Sequence, residues 1–507
     1  MEGQGGAGEG LTMKTPGVCV SAVLAAFALG CAAQEQREAA AGPPSLSGNW
    51  AGTADAGAVQ LELRLVLAEE EGLVSAPVTS LARWNWETHR TERLSFRLGA
   101  PVVTVSGDTI SVPMLDFEAS YTGTWSQNDD RISGTFTQAA ETFPLELERS
   151  SEDEAETRRP QTPEEPFPYA AEDVTYSNPD GGHSLAATLA RPTDGGPFPA
   201  VILISGSGQY ERSRTGDGHD AFLVLADYLT RRGIAVLRYD DRGVGESTGD
   251  FSTATTEDFA SDVLAGVKYL TTRDDVDPGK IGLAGQSEGG LIAPMAAVQS
   301  PDVSYIVLLA GPGVNGERIS SAQMELRARA NGASEEAIAE ILQRQTAINE
   351  ILMSEADPER SQEAIEAIIR TRFGKASVQE RLLYSTTDDT SLAMVVSEEV
   401  RRVNTPWGRY FLTYEPAPTL EKVSVPVLAI NGTRDLYVPH EENLREIEAA
   451  LKRGGNTRYE IHALPGINHF LQHAETGTAR ESETIEETIA VEVLELVGDW
   501  IVRVTGG

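Results

Sequence analysis

Residues 280–290 read KIGLAGQSEGG, in which a short apolar strand candidate, 280–284, leads into a G-x-S-x-G pattern centred on Ser287. An apolar stretch with helical character, 291–298, follows directly. On such a strand-to-helix elbow the serine hydroxyl is exposed, because small flanking residues let the backbone turn sharply. The N-terminus of the following helix favours negative charge developing beside that hydroxyl. The sequence therefore predicts that Ser287 is a nucleophile.

A second G-x-S-x-G pattern, centred on Ser247, provides a comparison within the same chain. It lies several residues beyond the preceding strand candidate, in a charged and Gly-rich loop, and no helical pattern follows it immediately. A motif match is a hypothesis that only the right structural context supports. The context favours Ser287 over Ser247.

Two later loops contain the base and the carboxylate that a serine nucleophile needs. Asp435 lies in GTRDLYVP after the strand candidate 427–430, and His469 lies in PGINHF after the candidate 459–463. The order Ser, Asp, His along the chain is that of α/β-hydrolases. We therefore predict a triad of Ser287, Asp435 and His469. Three other histidines are weaker candidates for the base, with structural or solvent-facing roles expected: His440, His462 and His473.

Strand and helix patterns alternate over residues 169–507, which predicts an α/β-hydrolase fold, a mainly parallel sheet flanked by helices. The strand candidates are 200–205, 234–239, 280–284, 305–309, 427–430 and 459–463. An insertion at about 315–420 is predicted to be helical, with one helix capped by Ser334 and a second over 361–374. Because insertions at this edge of a sheet meet the ligand crevice, we interpret it as a lid, and a purely structural insertion is the alternative.

The oxyanion of an acyl-transfer intermediate needs two backbone N–H donors. We predict one from Glu288, directly after the nucleophile, and the other from Ser207, within the sequence SGSG at 205–208. For Arg212 and Arg242, we expect either a charged network with Glu288 near the pocket or simple solvation.

These motifs, together with DDRGVGES at 240–247, resemble a family of bacterial α/β-hydrolase serine esterases over about 170–505. The resemblance implies a carboxylesterase that works through an acyl-enzyme, commonly on short acyl chains, with no metal or cofactor. It also implies export and a β-rich N-terminal domain. Gln286 stands where this fold often has His, and we expect it to affect local packing more than mechanism.

Other functions stay open at this point. An aminopeptidase or a thioesterase on the same triad is one alternative, since fold and nucleophile do not determine the leaving group. A binding lipoprotein without catalytic activity, using its β-rich segment for a cell-wall or glycan ligand, is an alternative of a different class. The intact triad disfavours it.

Residues 1–31 resemble a bacterial signal peptide. A lysine precedes an uncharged run over 18–29, which is too short for an ordinary membrane span but suits the apolar core of a signal peptide. The sequence ALGC at 28–31 resembles an imperfect lipobox, so we predict lipidation of Cys31 and a periplasmic or outer-membrane-anchored lipoprotein. Cleavage near residues 32–33, releasing a secreted soluble protein, is the alternative.

Between this leader and the α/β region we predict three segments. Residues 32–44 are a tether, and 45–149 are β-rich, with alternating stretches such as QLELRL at 60–65 that suit a small all-β domain. Residues 150–168 are an acidic, Pro-rich linker.

The composition limits the partners. A net charge of −36 argues against nucleic acid, whose binding depends on Lys and Arg, so we expect a small-molecule ester as partner and membrane attachment only through a lipid anchor. Cys19 and Cys31 are the two cysteines of the chain, so neither a disulfide framework nor a cysteine metal site is expected in its body. The seven histidines form no metal-binding pattern, and no cofactor is predicted.

Overall fold

The structure is a computed structural model that describes residues 46, 48–149, 159–216, 218–355, 357–375 and 389–506, apart from short stretches in the second of these ranges. Those stretches are 56–59, 71–72, 76–77, 86–89, 95–101, 107, 115–118, 127–129 and 139–140. The predicted signal peptide, Cys31, the tether and residues 150–158 of the linker lie outside the described residues. Among the described residues, no helix combines the length and apolar character needed to cross a membrane.

Strands fill the described part of 48–149. They are β1 (Gly48–Asp55), β2 (Gln60–Glu70), β3 (Leu73–Ser75), β4 (Val78–Asn85), β5 (Arg90–Leu94), β6 (Val102–Ser106), β7 (Thr109–Met114), β8 (Ala119–Ser126), β9 (Arg131–Gln138) and β10 (Glu141–Arg149). The pairing order β1-β10-β9-β8-β7-β6-β3-β2 returns from β2 to β1, so these eight strands close what we call the strand ring, and β4 and β5 extend from β2. That this segment is a separate small all-β domain stays a prediction.

A second sheet has eight strands. The strands after the ring are β11 (Ala170–Asn178), β12 (His183–Arg191), β13 (Phe198–Ile204), β14 (Thr215–Gly216), β15 (His219–Asp220), β16 (Ala235–Tyr239), β17 (Val276–Gln286), β18 (Val303–Leu309), β19 (Val427–Gly432) and β20 (Tyr459–Leu464). The sheet order is β11-β12-β16-β13-β17-β18-β19-β20, parallel from β16 to β20, while β14 and β15 pair separately. The predicted mainly parallel sheet is confirmed, with an antiparallel β11–β12 hairpin at its edge that we did not predict.

Helices cover both faces of this sheet. The described helices are α1 (Ala221–Arg231), α2 (Thr256–Leu270), α3 (Gly289–Gln299), α4 (Gly316–Ala330), α5 (Glu335–Ser354), α6 (Pro358–Lys375), α7 (Asp389–Val403), α8 (Pro406–Thr413), α9 (Ala417–Leu420), α10 (His440–Arg453), α11 (Ala479–Thr484) and α12 (Val491–Thr505). In β13, Ala200 and Ile202 face the core beneath α2, α3 and α10, whereas Val201 and Leu203 face the core beneath α1 and α12. Strands buried on both faces explain the continuous apolar runs.

The helices α4–α8 form an insertion between β18 and α9. Ser334 caps α5, because its hydroxyl accepts a hydrogen bond from the Ala337 N–H at 3.2 Å. The apolar stripe of α5 is buried at Ile338, Ile341, Ile348 and Leu352. The helix α6 begins at Pro358, three residues before the predicted start, because the Asp357 carboxylate accepts from the Glu359 N–H at 3.0 Å and Pro suits the first helical position.

The insertion and the strand ring share one apolar core. Buried side chains of α5, α6, α7 and α8 belong to the same continuous cluster as the interior of the ring. Examples are Leu352, Phe373, Val396 and Leu412 from the insertion, with Trp50 and Phe136 from the ring. The ring therefore packs against the helices that follow β18 in sequence.

Candidate active site

Ser287 lies at the turn between β17 and α3 with a backbone φ of 53°, in the left-handed region. A residue other than glycine keeps such a conformation, at about 1–3 kcal/mol, only where its surroundings enforce it. Its N–H donates to the Leu309 carbonyl oxygen at 2.8 Å. A Cβ on Gly285 would lie 1.9 Å from the Gly289 carbonyl oxygen, and one on Gly289 would lie 2.5 Å from that of Ile204. The close approaches explain why glycine flanks this serine on both sides.

The structure brings Asp435 and His469 together. His469 Nδ1 and Asp435 Oδ2 are 2.8 Å apart, and both residues are buried. Asp435 Oδ1 accepts from the N–H groups of Tyr437 and Val438 at 2.7 and 2.8 Å, which fixes the carboxylate against the imidazole. The Tyr437 ring also stacks on the imidazole, with ring centroids 4.7 Å apart.

Buried amides hold the loop that carries His469. Gln286 Nε2 donates to the His469 carbonyl oxygen at 3.1 Å, so this residue has a positioning contact in addition to the packing role that we expected. Asn468 Nδ2 donates to Gln472 Oε1 at 3.0 Å, and Gln472 Nε2 lies 3.0 Å from His219 Nε2. Sequence reasoning missed this network, since its members are far apart along the chain.

The end of the predicted linker docks behind the same loop. Gln161 Oε1 accepts from the N–H groups of Thr488 and Ile489 at 2.5 and 2.9 Å, and Gln161 Nε2 donates to the Ile489 carbonyl oxygen at 2.7 Å. The hydroxyl of Thr488 is 3.0 Å from His219 Nδ1. The chain that enters the α/β region is thus joined to the network behind His469.

Ser287 and His469 line one cavity of about 470 Å³, a volume typical of small-molecule sites. Ser207 and Glu288, the two residues predicted to donate to an oxyanion, line it as well. The insertion closes the opposite side with side chains that we did not predict: Ser320, Gln323, Gln345, Asn349, Trp407 and Phe411. Four of the five predicted site residues of the α/β region therefore line one cavity, and the fifth, Asp435, contacts it through His469.

Asp241 holds both ends of the loop that contains Ser207. Its Oδ1 accepts from the Ser205 hydroxyl at 2.7 Å and its Oδ2 accepts from the Tyr210 N–H at 2.9 Å. The Asp241 N–H donates to the Tyr210 carbonyl oxygen at 3.0 Å. Burial raises the pKa of Asp241 to about 7, and the nearby Glu288 carboxyl raises it as well. We missed this role, although DDRGVGES was the signal for it.

Glu288 contributes its side chain as well as its backbone to this region. Its carboxyl is buried, and Oε1 accepts from Thr256 Oγ1 and Trp407 Nε1 at 2.7 Å each. The Ser207 side chain also hydrogen-bonds this carboxyl. Burial raises the pKa of Glu288, and these hydrogen bonds act in the opposite direction. One carboxyl therefore joins the elbow to the insertion and to the loop at 205–208.

The arginines considered alongside Glu288 pair with other carboxylates. Arg242 Nε is 2.7 Å from Asp262 Oδ2, and Arg212 Nη2 is 2.8 Å from Asp240 Oδ2. Neither side chain is solvated, because each is largely buried against its partner. Both the expected network with Glu288 and the expected solvation are therefore wrong, because each arginine forms an ion pair with a nearby aspartate.

The rejected candidates have other contacts. The buried Ser247 hydroxyl donates to the Asp240 carbonyl oxygen at 2.7 Å and accepts from the Ala186 N–H at 2.9 Å. His473 pairs with Glu487 at 3.0 Å. The two remaining candidates, His440 and His462, lie at the start of α10 and within β20. Among the described residues, no group of three or more His, Cys, Asp or Glu side chains is arranged to hold a metal ion.

A parallel sheet with an antiparallel edge hairpin and a serine elbow after β17 defines an α/β-hydrolase. Residues 180–464, more than half of the chain, match the sequence profile of the X-Pro dipeptidyl-peptidase (S15) family. The chain belongs to this family of hydrolases.

Individual relatives match smaller parts of the chain. Esterase EstD of Thermotoga maritima is 29% identical over 161 residues, which cover 32% of this chain and 37% of that protein. The chain spans less than half the length of the curated relatives it matches. Among solved structures, the α/β-hydrolase GrgF from Penicillium sp. sh18 aligns with a TM-score of 0.42 and 17% identity over 67% of this chain and 100% of that one. The Pyrococcus furiosus esterase Pf2001 aligns with a TM-score of 0.38 and 18% identity over 66% of this chain and 93% of that one.

Proposed function

We propose that this protein is a serine carboxylesterase in which Ser287, His469 and Asp435 form the catalytic triad. The observation that carries the proposal is the 2.8 Å contact between His469 Nδ1 and Asp435 Oδ2, at the wall of the cavity that Ser287 also lines. A carboxylate on Nδ1 holds the imidazole in the tautomer whose Nε2 can accept a proton.

The proposed reaction has two halves. Ser287 Oγ attacks the ester carbonyl carbon and its proton passes to His469 Nε2, while the N–H groups of Ser207 and Glu288 donate to the oxyanion. The C–O bond to the alcohol breaks, and His469 returns the proton to that oxygen. In the second half, water gives a proton to His469 and attacks the acyl-enzyme, which releases the acid and restores the Ser287 hydroxyl.

An aminopeptidase or dipeptidyl-peptidase is the second candidate, and the family name favours it. Such an enzyme needs a carboxylate for the substrate's α-ammonium group. Glu288 is the acidic side chain among the described residues that line the cavity, and its Oε1 already accepts from Thr256 and Trp407. The engagement of this carboxyl supports an ester substrate. A thioester on the same triad is a related alternative.

The insertion fits the role of a lid in this proposal, because it supplies one wall of the cavity and Trp407 bonds to Glu288 beside the nucleophile. We further propose that the chain is exported and carries a lipid on Cys31, on the strength of the N-terminal sequence alone. A tether of residues 32–44 would then hold the enzyme near a membrane surface.

Hydrolysis of p-nitrophenyl acetate, butyrate and octanoate by the wild type, Ser287→Ala and Ser247→Ala tests the proposal. We expect the Ser287 variant to lose activity and the Ser247 variant to keep it, because both serines lie in the same motif but Ser247 serves the loop at 240–247. Alanyl-proline p-nitroanilide and a butyryl thioester test the alternatives. If the wild type cleaved the anilide but none of the esters, the peptidase would become the first candidate and the esterase the second. Failure of a fluorophosphonate probe to label Ser287 would favour a protein without catalytic activity.

A further inference from the structure

The insertion side of the cavity carries neutral hydrogen-bonding side chains. Gln345 Nε2 donates to Asn349 Oδ1 at 2.8 Å, and Asn349 Nδ2 donates to Ser320 Oγ at 3.1 Å. Ser320 Oγ in turn donates to the Glu317 carbonyl oxygen at 3.1 Å. These three hydrogen bonds all donate in the direction from α5 to α4. They leave Gln345 Oε1 and the second N–H of the Gln345 and Asn349 amides available. Gln323, which also lines the cavity, makes no side-chain hydrogen bond to any other described residue.

The charged side chains of the described cavity lining are already engaged with protein groups. Glu288 accepts from Thr256 and Trp407. The Arg214 guanidinium lies over the Tyr210 ring, 5.0 Å from its centroid, and Arg402 Nη2 pairs with Glu399 Oε2 at 2.9 Å. A charged ligand group would have to compete with these contacts, whereas a neutral one can bond to the amides directly.

Aromatic rings line the same cavity as the amides. Trp407 and Phe411 stack with centroids 5.1 Å apart, and both line the cavity. Tyr437 and Phe470 line it next to His469, with their ring centroids 5.5 Å apart. Aromatic faces pack well on C–H surfaces, and amides bond well to hydroxyl groups. A molecule with hydroxyl groups at its edge and C–H groups on its faces matches both features.

Resting on the proposed esterase function, we propose that the substrate is an uncharged ester with several hydroxyl groups, a sugar or cyclic polyol ester, recognised by Gln323, Gln345 and Asn349. A plain hydrocarbon in the same place would bury the Gln323 amide, Gln345 Oε1 and the second N–H groups of Gln345 and Asn349 without partners, which disfavours it. A site built to bond hydroxyl groups discriminates strongly against an analogue that lacks them.

Two matched pairs of esters test this proposal, one for each half of the ester. Methyl 6-O-acetyl-glucopyranoside is compared with cyclohexylmethyl acetate, which has the same acyl group and a ring of similar size without hydroxyl groups. Ethyl quinate is compared with ethyl cyclohexanecarboxylate in the same way. We expect kcat/KM to favour the hydroxylated member of at least one pair by about tenfold or more.

Variants assign that preference to the amides. Gln323→Leu and Asn349→Leu should lower the ratio of kcat/KM within the preferred pair about threefold or more, while p-nitrophenyl acetate hydrolysis changes less. Gln362→Leu, an exposed amide on α6, is the matched control and should leave the ratio unchanged. Thermal unfolding shows whether Asn349→Leu folds, and Gln323→Leu, at a half-buried position, keeps the test decisive if it does not.

The outcomes separate this proposal from the esterase function. Equal or better hydrolysis of the cyclohexyl esters, or no hydrolysis of either member of both pairs, overturns the substrate class while Ser287-dependent cleavage of p-nitrophenyl acetate still stands. A preference for an acetylated glucuronate or an α-amino ester over the neutral sugar ester overturns it in favour of the cavity arginines or Glu288. If the wild type hydrolysed none of the esters, p-nitrophenyl acetate included, the proposed esterase function itself would be rejected.

Discussion

The carboxylate of Asp241 lies 2.7 Å from the hydroxyl of Ser205, at the start of the loop that carries Ser207. Because the same carboxylate accepts from Tyr210 at the other end, a single buried side chain sets the shape of this loop. We expect Asp241→Ala to lower kcat more than it raises KM, since the loss falls on oxyanion stabilisation. Asp241→Asn should restore much of kcat, because an amide can bond to both partners. Steady-state kinetics on p-nitrophenyl butyrate measures both, and equal effects on KM and kcat would contradict a positioning role.

Asp241 also predicts a pH dependence of stability. Its pKa of about 7 in the folded chain lies above the usual 3.8, so the folded state holds this proton more tightly than the unfolded state does. The contribution of Asp241 to the free energy of unfolding therefore falls as the pH rises from 3.8 to about 7. Asp241→Asn should gain stability relative to wild type between pH 5 and pH 8, as measured by urea unfolding.

The exposed Asp250 provides the control for that experiment. Hydrogen bonds from Ser252 hold its pKa below the usual value, so its contribution is fully present above that value and is lost only in more acidic solution. The difference between Asp250→Asn and wild type should be the same at pH 5 and pH 8. If the free energy of unfolding of Asp241→Asn also differed from that of wild type by the same amount at pH 5 and pH 8, Asp241 would not titrate between these values.

Gln286→Leu should reduce activity without removing the triad. The substitution leaves the buried His469 carbonyl without its donor, which costs about 1–3 kcal/mol and lets the catalytic loop shift. We expect kcat/KM for p-nitrophenyl butyrate to fall about tenfold, mostly through kcat. Gln299→Leu, which removes an exposed amide at the end of α3, is the comparison and should have little effect. An unchanged kcat in Gln286→Leu would restrict this residue to packing.

Trp407→Phe tests the link between the insertion and the elbow. The new ring can still stack on Phe411, but Glu288 loses one of its donors, so its pKa should rise further. We expect the free energy of unfolding to fall by about 1–3 kcal/mol in the wild-type background. A double-mutant cycle with Glu288→Gln isolates the pair, and effects that simply add would show that the bond is not important for stability.

Gln161→Ala tests whether the docked linker supports the catalytic loop. The change removes three hydrogen bonds to the backbone of Thr488 and Ile489. We expect a lower thermal unfolding midpoint and a smaller reduction in kcat, because His219 and Gln472 lie between this contact and His469. Gln362→Ala, on the exposed face of α6, should change neither. If Gln161→Ala had the same thermal unfolding midpoint as wild type, the contacts of Gln161 would not contribute to stability.

The sequence predicted those features that depend on the order of strands and loops along the chain. Ser287, Asp435 and His469 each follow a strand of the parallel sheet, and the ends of parallel strands meet at one edge, so their proximity could be predicted. The hairpin β11–β12 was missed because β11 is an edge strand with exposed residues such as Glu172 and Asp173 and has no continuous apolar run.

Contacts between distant segments could not be predicted in the same way. One partner of Glu288 is Trp407, more than a hundred residues away, because the packing of the insertion brings this donor to the buried carboxyl. The amides of Gln323 and Asn349 fall on two different helices, and only the crossing of α4 and α5 brings them to one cavity. A helical stripe indicates which face is buried, but it does not indicate what that face will meet.

The common core of the insertion and the strand ring has a consequence for the engineering of this chain. Helices that line the cavity on one side rest on strands from the beginning of the chain on the other, through residues such as Leu352 and Trp50. Replacement of the insertion alone by that of another protein would place a different apolar surface against the strand ring. Chimeras engineered from this chain should therefore carry both segments or neither.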